Sequence, residues 1–488
     1  MSPDCVEGRG ASNPKFEGQY KREGEILTAG MYLGLKKTLS NLRIKWPWIV
    51  AAISILALNA LLLFALIPEV SSRMNWLYNS DGYVDTYEQI AENLAVGNGY
   101  RVYPDTARTL SREPGYPILL AGVFLVFGDN LTTVKLANML FTFAAAGLIA
   151  LLARRVSASR VVTLGAPLVF LFHPGTLIAE SRGGVETPFT LFLVLFMLMV
   201  YRAIESRAWF DYLLSGAALG STVLIRSTPI LFPVWLLAYL AAIEPKQSWF
   251  RLCRNGVIMA TAAVTILSPW IIRNYSLVGK FVPTASVLGI SAHAGLYNNT
   301  HYSGAESWAM VDRQGARERR ELAEDLGYPF KVKALGYFQD FYSSQDEVRF
   351  SDYLLKRVIG EYRSSPSLFV KCVGANLFNF WFRGKTMEST RLNLILEVPY
   401  LFLAMAGFVM AVRDGLFNAL APVLLLIAYL VAVSVVVLAQ ARYSVPLIPF
   451  LSILVCLAVD AITKQVGWRP TADERNTVVL ASASGSGC

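Results

Sequence analysis

Long apolar blocks separated by short polar turns dominate this chain. Residues 48–67, 131–153, 161–179, 186–204, 256–272, 393–412, 417–438 and 443–463 each approach the ~20 apolar residues that a membrane-crossing helix needs. Two shorter blocks, 210–225 and 228–243, flank Arg226-Ser227-Thr228-Pro229 and predict a tight hairpin. Roughly ten spans result. Residues 116–128 are apolar but too short to cross, which fits a helix lying in the membrane interface or a re-entrant segment. Backbone groups inside a bilayer must be satisfied within each span, so the fold class is an all-α polytopic membrane bundle. Aromatic and polar residues do not alternate in short segments, as the strands of a barrel would require.

Charge orients the bundle. Lys36, Lys37, Arg43 and Lys45 precede the first span, Arg154, Arg155 and Arg160 follow the second, and Lys246, Arg251 and Arg254 precede residue 256. With these basic turns inside, both termini are cytoplasmic, and segments 68–130 and 273–392 face outward. The chain then divides into a partly disordered cytoplasmic N-terminus (1–47), a membrane domain (48–463) and a disordered cytoplasmic C-terminus (464–488). The basic N-terminal stretch is not expected to be a cleaved signal, because no small-residue cleavage site follows it. Composition agrees with a membrane protein: 54% of residues are hydrophobic, mean hydropathy is +0.44, and 16% are charged, against about a quarter in soluble chains. The net charge of +9 follows from the topological bias, so nucleic acid is not an expected partner. The five cysteines are far apart in sequence and offer neither an outward disulfide nor a zinc spacing.

The outward segments carry the chemistry. Asp81 and Asp85 lie in Asp81-Gly82-Tyr83-Val84-Asp85-Thr86-Tyr87, just after the first span. Four residues apart, they share a face if this stretch is helical. Alternatively, Asp81-Gly82 is a turn and Asp85 a helix cap. Gly82 favours a functional role for Asp81, since it permits close substrate approach. Ala95-Val96-Gly97-Asn98-Gly99-Tyr100 reads as a helix ending in a glycine turn. Glu113 follows in Ser111-Arg112-Glu113-Pro114-Gly115-Tyr116-Pro117, where two prolines stiffen the entry to the next apolar segment. Its plain alternative is a surface pair with Arg112, worth little. Arg226 and Arg442 sit at the ends of apolar spans, where an unneeded charge is expensive; they bind an anion or snorkel to headgroups. Glu180-Ser181-Arg182-Gly183-Gly184-Val185-Glu186 is a polar turn that either lines a substrate path or simply connects two spans. His293 and His301 lack a third ligand at fixed spacing, so no metal is expected. In the long segment, 316–325 is charged, while 350–362 and 367–383 are amphipathic and suited to roofing a pocket above the bundle.

Asp81-Gly82-Tyr83, Tyr87-x-x-Ile90-Ala91-Glu92-Asn93-Leu94, Gly97-Asn98-Gly99-Tyr100 and Arg112-Glu113-Pro114-Gly115-Tyr116-Pro117 together resemble the first outward loop of C-type glycosyltransferases. The nearest group is the bacterial lipid-linked-sugar transferases related to protein O-mannosyltransferases and the lipid A aminoarabinose transferase. Ser268-Pro269-Trp270-Ile271-Ile272-Arg273-Asn274-Tyr275, Gly295-Leu296-Tyr297-Asn298-Asn299 and Gln440-Ala441-Arg442-Tyr443-Ser444-Val445-Pro446 resemble later elements in the same order. The resemblance implies a loop aspartate as general base, matched best by Asp81 and next by Asp85. A Glu-Lys-Pro-Pro element maps its acid onto Glu113, with Pro114 in place of the lysine. The missing cation would come from Arg112 or a distant arginine.

What the resemblance implies is an inverting transferase without cofactor, in a bacterial inner (plasma) membrane, working on the non-cytoplasmic side. Its donor would be a polyprenyl-phosphate sugar and its acceptor a lipid, glycan or protein. Arg442, Arg226, Arg273 and Arg112 are then the candidate phosphate ligands, and Tyr83, Tyr87, Tyr116 and Tyr443 the candidate pocket aromatics. No glycine-rich nucleotide fingerprint occurs, in keeping with a lipid-linked donor. The competing classes are a transporter or flippase of a lipid-linked glycan and a non-catalytic scaffold for envelope assembly. A transporter would show related halves and charges near the midplane.

Overall fold

A computed structural model describes residues 46–69, 86–243, 249–301, 308–327, 330–331, 340–341, 343–384 and 386–466. Asp81, Tyr83 and Asp85 lie outside the described residues, as do most of the two terminal segments. Helix α1 (Trp46–Leu61), apolar along its length, belongs to one compact unit; the chain from Leu62 onward forms the other.

The second unit runs through α2 (Tyr87–Ala95), α3 (Gly115–Phe127), α4 (Leu131–Val156), α5 (Arg160–Phe172), α6 (Pro174–Ser181), α7 (Glu186–Ser206), α8 (Trp209–Ile225), α9 (Phe232–Ile243) and α10 (Trp249–Val278). Then come α11 (Leu288–His301), α12 (Trp308–Asp325), α13 (Ser344–Ser364) and α14 (Pro366–Trp381). Three more apolar helices close the chain: α15 (Met387–Arg413), α16 (Phe417–Val437) and α17 (Ile448–Gln465). A 3-10 turn, Ala441–Leu447, leads into α17. Among the described residues the strand pairing is a two-residue antiparallel ladder, Phe330 opposite Phe341.

The described residues form a predominantly helical membrane bundle, in which the apolar blocks of the sequence are helical. Seven helical stretches are long and apolar enough to cross a membrane, or eight if α5 and α6 form one broken span. Three further apolar helices, α3, α8 and Thr228–Ile243, are shorter.

Three expectations need correction. Block 161–179 is not one straight helix but bends by 51° between α5 and α6. Pro174 has no N–H with which to continue α5, and His173 Nδ1 instead accepts from Gly175 N at 3.1 Å to start α6. Blocks 210–225 and 228–243 do not form a tight hairpin: α8 packs between α7 and α10, while α9 lies against α10 and α16. The reason is the small-residue face Gly216/Gly220, which lets α8 approach the Met259 and Ala263 carbonyls of α10 more closely than a Cβ would allow. Finally, the helix expected over 256–272 runs on to Val278. α10 continues through Arg273 and Asn274 until Gly279, whose φ of 65° ends it.

The two most enclosed spans are α7 and the stretch Ala441–Gln465, 67% and 83% of whose apolar windows are buried inside the protein. Both begin at the same end of the bundle. Glu186 opens α7, and Arg442 and Tyr443 lie in the 3-10 turn before α17. The segments before α3 and after α10 also meet, since Leu110 and Ser286 are hydrogen-bonded (Ser286 N to Leu110 O, 2.8 Å).

Candidate functional site

Glu113 owes its position to a close crossing. Gly115, the first residue of α3, lies so near α8 that a Cβ there would stand 2.9 Å from the Leu224 carbonyl oxygen. The loop entering α3 is thereby brought beside the segment leaving α8. Glu113 Oε1 accepts from Ser227 Oγ at 2.8 Å and from Ser227 N at 3.2 Å, while the Tyr87 hydroxyl lies 3.5 Å from Oε2. Arg112 and Glu113 are both buried, so the pair is not an exposed one.

The backbone beneath them is fixed too. The Tyr100 hydroxyl donates to the Arg112 and Glu113 carbonyls, each at 3.0 Å. Burial, with Tyr87 and Glu113 nearby, pushes the Tyr100 phenol well above its ordinary range, so it stays protonated and remains a donor. Arg112 Nε donates to Thr86 Oγ1 at 3.2 Å, and its guanidinium lies 4.7 Å over the Tyr87 ring. Thr86 holds the N-cap position of α2, which ends as expected in a glycine turn with Gly97 at φ 84°. Tyr116 meets Tyr87 edge to face at 5.6 Å, donates to Gly183 O at 2.6 Å, and accepts from Asn138 Nδ2 at 2.8 Å.

The facing group is cationic. Glu186, buried at the start of α7, sets Oε1 3.7 Å from Arg226 Nη1 and 3.8 Å from Arg442 Nε. The Tyr443 ring packs against both guanidiniums, at 4.3 Å from Arg226 and 5.6 Å from Arg442. Arg442 Nε also donates to Gln440 Oε1 at 3.0 Å. An acid at a helix N-terminus is favoured by the helix dipole, which also favours external anions there.

Both groups line one cavity of about 1100 Å³. Leu288 and Ser291 of α11, Arg313 of α12 and Trp381 of α14 border it, whereas no residue of the amphipathic stretch 350–362 does. Six arginines and four glutamates contribute to its wall, so its formal charge suits an anionic ligand.

Among the described candidates, Tyr87, Arg112, Glu113, Arg226, Arg442 and Tyr443 line this cavity, whereas Tyr116 and Arg273 do not. Arg273 instead donates to the Thr109 carbonyl at 3.0 Å and lies over the Trp270 ring at 4.4 Å and the Tyr100 ring at 5.1 Å. Its neighbours Trp270 and Asn274 donate to the Thr284 and Val282 carbonyls. That motif clamps the segment around Thr109 to the one around Val282 and Thr284. Sequence reasoning missed Glu88, Ser227 and Glu397, and gave Glu186 only a place in a turn. An acid heading an apolar span is the same signal that singled out Arg226 and Arg442. Among the described residues no group of three or more His, Cys, Asp or Glu is arranged to hold a metal.

Residues 111–272, which include Arg112, Glu113, Glu186 and Arg226, match the family model of dolichyl-phosphate-mannose-protein mannosyltransferases. Over those residues the chain is similar to that family. It is 27% identical over 252 residues to undecaprenyl phosphate-alpha-4-amino-4-deoxy-L-arabinose arabinosyl transferase 2 of Pseudomonas fluorescens, covering 50% of this chain and 40% of that one. To the corresponding transferase of Pseudomonas aeruginosa it is 28% identical over 226 residues, covering 44% and 39%. The chain thus spans about 40% of the length of the curated relatives it matches. Among solved structures, ArnT from Cupriavidus metallidurans bound to undecaprenyl phosphate is similar at 14% identity and a TM-score of 0.37, covering 88% of this chain and 81% of that one.

Proposed function

We propose that this protein transfers a monosaccharide from a polyprenyl-phosphate donor to an acceptor hydroxyl on the non-cytoplasmic side of a bacterial inner membrane, with inversion at the anomeric carbon. The observation that carries this reading is the convergence of Arg226 and Arg442 on one edge of a net-positive cavity whose other edge holds Glu113. The relatives named above support the donor class, since their names specify an undecaprenyl-phosphate-linked sugar.

The step balances as follows. The acceptor oxygen forms a bond to the anomeric carbon while the bond from that carbon to the phosphate oxygen breaks, its electron pair leaving with polyprenyl phosphate. The acceptor proton passes to a carboxylate, Asp81 by first choice and Asp85 by second. Arg442 and Arg226 stabilise the charge that grows on the leaving phosphate. Glu113, held by Ser227 and Tyr87, orients the acceptor or the base. The acceptor is a lipid, glycan or protein.

The test is a pair of conservative changes in purified protein. Asp81→Asn should lower transfer by about 10²- to 10⁴-fold while donor binding persists. Asp85→Asn should cost little if Asp85 is only a cap, where asparagine serves nearly as well. A dead Asp85→Asn beside an active Asp81→Asn moves the base by one helical turn. Two active variants would rule out a loop aspartate as base and favour a transport role.

A further inference from the structure

Glu397 lies about 15 Å inside α15, in the apolar part of that span. An ionisable group so deep is costly, and such groups turn toward the bundle interior. Its one ion-pair partner among the described residues is His173, whose Nε2 stands 3.6 Å from Oε1, longer than a hydrogen bond. His173 is held by other groups. Its Nδ1 accepts from Gly175 N to start α6, and the Tyr400 ring meets it edge to face at 4.5 Å. The Tyr400 hydroxyl is itself tied to Ile448 O and Ser452 Oγ of α17. The histidine is thus a fixed wall behind Glu397. Glu397 keeps 14% of its side-chain surface and lines the cavity. Neither of its oxygens is among the fully buried, unpartnered atoms of the described residues, as Glu186 Oε1 is. A carboxyl group kept only to hold His173 would be closed against it.

Asn393 lies one turn earlier on the same face of α15, is half-buried, and also lines the cavity. Its Nδ2 donates to Phe382 O at 3.2 Å, which leaves Oδ1 to accept from a ligand. The two side chains therefore present acceptors, one helical turn or about 6 Å apart. Their ligand has to bring two donors at that spacing. A phosphate brings none. An ammonium is disfavoured by a wall with six arginines against four glutamates. Hydroxyls remain, and two on one sugar ring span roughly this distance. We infer that Asn393 and Glu397 form a subsite that reads two hydroxyls of one sugar ring. The inference rests on the glycosyl-transfer reading above. The ring belongs either to the transferred sugar or to the acceptor, and the test separates these sources.

Purified wild type, Glu397→Leu, Glu397→Gln and Asn393→Leu are compared, with thermal unfolding as the folding check. Binding is measured with bare polyprenyl phosphate and with a polyprenyl-phosphate hexose. Transfer is then titrated with a membrane extract as acceptor, at saturating donor. If the ring is the donor's, Glu397→Leu should weaken the hexose probe roughly 10- to 100-fold and Asn393→Leu roughly 3- to 10-fold, as for a lost hydrogen bond to a charged and to a neutral group. Bare polyprenyl phosphate should bind all variants like wild type. If the ring is the acceptor's, both probes should bind as in wild type, and the extract needed for half-maximal rate should rise by those same factors. Glu397→Gln keeps the side-chain volume and should lose about tenfold; it decides the matter if the leucine variants do not fold. The inference is overturned if neither hexose affinity nor the extract requirement moves. It is equally overturned if bare polyprenyl phosphate weakens as much as the hexose probe, since the pair would then only shape the phosphate site. Wild type that binds neither probe overturns the donor reading, and the subsite falls with it; in the other two cases wild type binds, so the failures are distinct.

Discussion

Ser227 donates to one oxygen of Glu113 twice, from its hydroxyl at 2.8 Å and from its backbone N–H at 3.2 Å. The two residues are 114 positions apart and meet because Gly115 lets α3 press against α8. A buried carboxylate needs such donors, and this pair leaves Oε2 directed toward Tyr87. Removing the hydroxyl should therefore loosen Glu113 without unfolding the bundle. Ser227→Ala is expected to lower the turnover number about tenfold, in line with one hydrogen bond to a charged group. Donor affinity should stay close to wild type, as steady-state kinetics would register.

Arg442 should act on donor affinity instead. Arg442→Ala is predicted to weaken binding of a polyprenyl-phosphate analogue by roughly 10- to 100-fold, with Lys restoring only part of it. A planar guanidinium forks onto a phosphate, whereas an ammonium presents a point charge. Unchanged affinity in the alanine protein would mean that Arg442 serves only to reach lipid headgroups.

The pH dependence of stability should carry the mark of Glu347. Its carboxylate accepts from Leu110 N, Thr109 Oγ1 and Ser286 Oγ, tying α13 to the segments before α3 and after α10. Burial nevertheless raises its pKa above the usual carboxylate value, against the pull of these hydrogen bonds and of Arg273. A raised folded-state pKa means that the native state holds this proton more readily than the unfolded chain. The stabilisation is fully present below the unfolded value of about 4.3 and is lost as pH rises through the raised folded value. Thermal unfolding of detergent-solubilised Glu347→Gln should lack this component of the pH dependence, flattening the curve across that window.

Topology supplies a further check. Single cysteines replacing Asp105 and Lys356, in a background without native cysteines, should both react with an impermeant reagent added outside whole cells. A cysteine replacing Arg154 should not. Opposite reactivity of the first two would contradict the hydrogen bonds joining Leu110 to Ser286 and Glu347.

Much of this was legible in the sequence. Apolar blocks gave helices because a bilayer leaves no other use for them, and the roofing segments read as helices from their amphipathic pattern. Arg226 and Arg442 stood out because a charge at the end of an apolar span is costly. What escaped was set by contacts between distant segments. The meeting of Glu113 with Ser227 and the splitting of the expected hairpin at Gly216 and Gly220 depend on which helices cross, which local pattern does not encode. Arg273 carried the same signal as Arg442, yet it faces Thr109 and two aromatic rings rather than the cavity. Charge at a span end marks a residue that is needed without saying for what.

The most direct measurement is release of labelled polyprenyl phosphate from a labelled polyprenyl-phosphate sugar by the purified protein, with acceptor supplied as a membrane extract. Release should depend on the wild-type protein and the extract, and it should fall at least tenfold, at subsaturating donor, in both Arg442→Ala and Glu113→Gln. No release with any polyprenyl-phosphate sugar, or release that ignores both substitutions, would contradict the assignment of this cavity to glycosyl transfer.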